Sequence, residues 1–90
     1  MANGEKEREE ALSELHRKIR YATSLTFYKD AKTRNHSDVL IDLAQKLYNL
    51  ATITSRFFDQ FSLQSSFKIF LKEGSSLIDL AIKLRLQSKK

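Results

Sequence analysis

"LKEGSSLIDL", Leu71 to Leu80, decides whether this chain holds three long helices or four shorter ones. A glycine inside a helix costs about 1 kcal/mol relative to alanine. Ser76 with Asp79 also has the spacing of a capping box, which would open a new helix. The apolar phase argues the other way. Leu63, Phe67, Phe70, Leu71, Leu77, Ile78 and Ala81 align on one stripe, and Gly74 lies on it. That favours one long helix, with a close contact or slight bend at Gly74, and leaves a four-helix chain as the alternative. The helix would end near Gln87, where Lys83, Arg85, Lys89 and Lys90 suit the negative end of its dipole.

Upstream, the phase jumps by about half a turn at "RFFDQFSL", Arg56 to Leu63. A helix carried straight through would place Phe67 and Phe70 on its polar side, so the chain must turn near Ser62, a candidate cap. The helix before it is expected from about Asp38 to Phe61, with Ser37 as N-cap. Val39, Leu40, Leu43, Leu47, Leu50, Thr54, Phe57, Phe58 and Phe61 form its expected core face. Asp38, Asp42, Gln45, Asn49, Arg56 and Gln60 lie opposite, and Ile41, Ala44 and Tyr48 widen the apolar side. Before it, "DAKTRNHS" has no large apolar residue and is expected to be a linker. The first helix is expected from about Glu5 to Lys29, with Asn3 as cap and Glu5, Glu7, Glu9 and Glu10 in its first turns. Its core arc is Ala11, Leu12, Leu15, Ile19, Ala22 and Thr26.

Three helices of about 24 residues, each about 36 Å long, with short connections imply antiparallel neighbours. The expected fold is all-α, an up-down-up three-helix bundle in one domain over residues 1–90, or four helices if the chain breaks at Gly74. Composition agrees: there are no prolines and two glycines, so few turns can be built.

Composition also narrows function. With no cysteine there is no disulfide, thiolate metal site or cysteine nucleophile. Absent disulfides favour the cytoplasm for a chain this small. No stretch is long and apolar enough to span a membrane, and "MANGEKEREE" does not resemble a signal peptide. His16 and His36 have no acidic or histidine partner at ligand spacing, and no glycine-rich phosphate loop exists. The expectation is a non-enzymatic protein with no cofactor, metal or catalytic residue.

The net charge of +5 admits an acidic protein, nucleic acid or an anionic surface as partner. One feature focuses the choice. In "RKIRYATSLTFYKDAK", Arg17, Tyr21, Leu25, Tyr28 and Lys32 line up opposite the first helix's core arc, flanked by Lys18. Tyrosine and arginine are enriched at protein interfaces. These six are the candidate partner-binding residues, with a protein as the expected partner and nucleic acid as the alternative. The competing reading is that the third helix covers Leu25 and Tyr28. Ile69 and Leu80, on the polar side of the third helix, could extend the patch or make a homodimer contact.

"HSDVLIDLAQKLYNLA" (His36 to Ala51) and "FSLQSSFKIFLKEG" (Phe61 to Gly74) resemble the small bacteriocin immunity proteins of the enterocin A immunity type. The resemblance implies a four-helix antiparallel bundle in the cytosol. It further implies protection against a pore-forming peptide by binding a membrane receptor complex, with specificity towards the C-terminal "SSLIDLAIKLRLQSKK".

Overall fold

The computed structural model describes residues 2–26, 29–57 and 61–88. Three helices account for nearly all of them: α1 (Ala2–Ser24), α2 (Ala31–Arg56) and α3 (Phe61–Ser88). Contacts between the helices set their directions. Leu15 and Ala22 of α1 meet Gly74 and Arg85 of α3 in the same order, so α1 and α3 run parallel. Leu47 and Ser37 of α2 meet Gly74 and Arg85 in reverse order, so α2 is antiparallel to α3. The result is an up-down-up three-helix bundle, with α2 and α3 packed along their length and α1 laid more lightly against both.

α3 passes through Gly74 as one uninterrupted helix. A Cβ there would stand 3.1 Å from Leu15 Cδ2 and 3.4 Å from Leu47 Cβ. The glycine therefore lets three helices approach at one level, and the cost to local helix propensity is offset by that packing. The core around it is formed by Leu15, Ile19 and Ala22 from α1, Leu40 and Ala44 from α2, and Ile78 and Ala81 from α3.

The element boundaries depart from expectation at the first connection. α1 stops at Ser24, not near Lys29, and the Leu25 N–H bonds back to the Ala22 carbonyl at 3.1 Å. Thr26, assigned to the core arc, is exposed beyond the helix end. The stretch expected as a linker is the first two turns of α2. Asp30, not Ser37, is the N-cap, and its carboxylate accepts the Thr33 N–H at 2.7 Å. The bond from the Thr33 backbone N–H, then that from its side chain, with Lys29 and Lys32 nearby, hold the Asp30 carboxyl below the ordinary carboxylate range. α2 ends at Arg56, with the Phe57 N–H bonding to the Thr54 carbonyl at 3.3 Å. Tyr28, Phe58, Gln60, Lys89 and Lys90, and the side chains of Asn3, Phe61 and Ser62, lie outside the described residues.

Ser37 is free to do something else. Fully buried, its hydroxyl donates to the Arg34 carbonyl at 3.0 Å and accepts Arg85 Nε at 2.9 Å. Arg85 is itself 3% exposed. It donates to the carbonyls of Ala22 at 2.8 Å and Leu25 at 2.9 Å, and forms an ion pair with Asp38. The sequence reading assigned Arg85 to the end of its own helix. Its charge instead caps α1, whose last carbonyls lack intrahelical partners.

Arg85→Ala should destabilise the fold by about 3–5 kcal/mol, because Ser37 and two carbonyls lose a buried charged donor. Arg85→Lys should recover only a minority of that, since one ammonium cannot reproduce the planar fork. Urea unfolding followed by circular dichroism reads both. For Asp30 the folded carboxyl titrates lower than the unfolded one. Its stabilisation is thus present above the unfolded value and drains as pH falls through the folded value. Asp30→Ala should lower the thermal midpoint at neutral pH, and the gap from the unsubstituted protein should close in acid.

Candidate functional site

The row proposed on α1 does not survive as one surface. Arg17 is exposed and pairs with Glu14 of its own helix at 2.8 Å. Lys18 is half-buried against α3, with Nζ 3.3 Å from Ser75 Oγ and 3.2 Å from Asp79 Oδ1. Tyr21 stands 48% exposed. Leu25 is buried, because the chain leaves the helix at Ser24 and turns that side chain inward. Lys32 is exposed but belongs to α2. The alignment assumed an α1 running to Lys29. With the helix ended a turn earlier, Arg17 and Tyr21 remain on its exposed side, Leu25 turns inward and Lys32 falls on α2, while Tyr28 lies outside the described residues.

The larger exposed surface lies on α2. Val39, Leu43, Leu50, Ile53 and Phe57 are each between 42% and 56% exposed. Four of these, all but Ile53, were expected in the core. The buried side of α2 is instead centred on Ser37, Leu40, Ala44, Ala51 and Thr54, with Ile41 and Tyr48 half-buried beside them. The helix is rotated from the expected orientation by roughly a quarter of a turn. Ser37, Ala44 and Ala51 recur every seventh position, and Gly74 and Ala81 do the same on α3. Small residues at that repeat let helix axes come close. The sequence held this signal, but the weight given to large apolar side chains concealed it.

The exposed residues form a pattern of their own. Val39, Leu43, Lys46, Leu50, Ile53 and Phe57 are spaced four, three, four, three and four apart, a heptad seam interrupted by one cation. This seam faces away from α1, which meets α2 on the opposite side, where His16 stacks on Tyr48 with ring centroids 5.1 Å apart. On α3, Ile69 and Leu80 are also exposed. They lie more than about 100° round that helix from Ser75, which α1 touches. The α2/α3 hairpin thus has two faces, one covered by α1 and one apolar and open.

Chemistry does not converge anywhere comparable. Among the described residues, no three His, Cys, Asp or Glu side chains come together as a metal site would require. Surface clefts differ in lining: Gly4, Arg8, Ala11 and Phe67 meet at one, while another is bounded by Lys6, Glu9, Glu10, Glu14 and Arg17. No helix among the described residues is long and apolar enough to cross a membrane. No protein-family model, curated protein or solved structure matches this chain.

The rotated face predicts opposite responses at neighbouring positions. Ala51→Leu should overpack the helix contact and destabilise the fold by about 1–3 kcal/mol. Ile53→Ser, two residues on, should change stability by less than about 0.5 kcal/mol, as surface substitutions do. Denaturation midpoints of the two variants provide the comparison.

Proposed function

We propose that this protein is a non-enzymatic interaction module, which binds another protein chain through the open face of the α2/α3 hairpin. The observation that supports this reading is the row Val39, Leu43, Leu50, Ile53 and Phe57, half-exposed on one side of a helix whose other side is packed. Monomeric proteins rarely leave contiguous apolar patches beyond a few hundred Å² uncovered. Binding would remove these side chains from water, while Arg17 and Tyr21 on α1 form a separate, smaller surface.

Nucleic acid is the weaker alternative. The net charge of +5 favours it, but the cation within the row, Lys46, is paired with Asp42 at 3.1 Å and falls between Leu43 and Leu50 in the row. A phosphate track needs unpaired cations in series. A narrower version of the leading reading makes the partner a membrane receptor complex and the protein a bacteriocin immunity factor. Its support is the likeness of residues 36–51 and 61–74 to that family. The four helices of that family would need a break at Gly74, and α3 has none.

The test is affinity capture with the intact chain, followed by reconstitution with the purified captured protein. Leu50→Glu with Ile53→Glu should abolish binding while helicity stays unchanged, and Arg17→Ser with Tyr21→Ser should leave it intact. The converse result would return the site to α1. Affinity should fall less than about tenfold between 50 and 200 mM salt; a loss of about 10³ would mark phosphate-dominated binding and overturn the reading.

A further inference from the structure

We infer that the open face of α2 is the seam of a symmetric homodimer, in which α2 packs antiparallel against α2 of a second copy. The inference rests on the reading of that face as a binding surface and specifies its occupant.

The register follows from the heptad positions. In an antiparallel pair, each residue of the seam meets a residue of the other type of seam position. Pairing Val39 with the second copy's Phe57, Leu43 with its Ile53 and Lys46 with its Leu50 uses all six positions at once. The two-fold axis then falls near Tyr48. The seam is flanked on its solvent side by Asp42, Asn49 and Arg56, all exposed. In this register Asp42 comes beside Arg56 of the second copy, Arg56 beside its Asp42, and Asn49 beside its own counterpart. Two opposite-charge pairs arise from one helix facing itself, which an isologous interface requires.

Other arrangements lose this match. Shifting the register by one heptad leaves part of the seam uncovered and separates Asp42 from Arg56. A parallel pair would place Lys46 directly against Lys46. A single polar residue in such a seam is a known means of setting register and orientation. Lys46 serves here by extending its stem over leucine while Asp42 of its own helix holds the ammonium at 3.1 Å.

The area is sufficient. From their exposures, the four α2 residues and the C-cap Phe57 offer about 500 Å², and Ile69 with Leu80 beside them raise this to about 700 Å², against roughly 800 Å² per partner in a stable interface. Face-to-face pairing would give the α2/α3 hairpin a second apolar neighbour on the side that α1 leaves bare.

The test uses the full chain and sedimentation equilibrium from 1 to 100 μM, with helicity checked by circular dichroism. The unsubstituted protein should sediment as a dimer. Asp42→Arg alone and Arg56→Asp alone should each weaken the dimer by at least about tenfold, because each places like charges together twice. Mixed in equal amounts, these two variants should form a heterodimer at the original strength, and the double variant should dimerise again. A monomer throughout the range, or a dimer indifferent to both swaps, overturns the homodimer. A monomer whose capture of a different protein is still abolished by Leu50→Glu with Ile53→Glu leaves the binding face standing with another occupant.

Discussion

The buried guanidinium of Arg85 joins the parts of this fold that simple apolar packing would leave loose. It lies on α3, binds the Ala22 carbonyl of α1 and the Leu25 carbonyl just beyond its end, and meets Ser37 and Asp38 of α2. A charge in a bundle of this size is tolerable only if most of its donors are used. The planar fork of arginine can reach several acceptors in different directions at once, and the ends of helices supply such acceptors. The group thus fixes where α1 stops, how deep the start of α2 sits, and which face of α3 turns inward.

From that junction the helices are held close at their small residues. Gly74 touches Leu15 and Leu47, while Ala22, Ala44, Ala51 and Ala81 are fully buried. Small side chains bring backbones together, which gives good packing with little apolar volume. The consequence is a surplus. Large residues on α2 that a wider bundle would have absorbed are left on the outer side of the hairpin. The exposed apolar face and the compact core are therefore two results of one choice, the placement of small residues at the helix contacts.

The candidate site was only partly legible from the residues. Tyr21 and Arg17 were correctly read as lying on the side of α1 away from its core arc, and both are exposed. Leu25 was misplaced because helix ends cannot be read from apolar phase alone, and Lys18 because its long side chain reaches across to Ser75 and Asp79 of α3. The α2 row was visible as apolar residues but was assigned inward. Half of α2 is apolar over a wide arc, and periodicity gives the direction of a stripe without saying which edge of it meets a neighbour. Ile69 and Leu80 were singled out correctly, since they stand outside the phase of α3.

By itself, the sequence determined an all-α chain of three long helices and favoured a third helix continuous through Gly74, but it set both turns too late, at residues 30–37 and near Ser62. These are local matters of periodicity, caps and the scarcity of glycine and proline, and they need only neighbouring residues. The tertiary structure alone decided which side of α2 is buried and what Arg85 binds. Both depend on residues far apart in the chain, such as Leu47 with Gly74 and Ala22 with Arg85, and the closest approach of two helices is set by the pair of surfaces together, not by either strand of sequence.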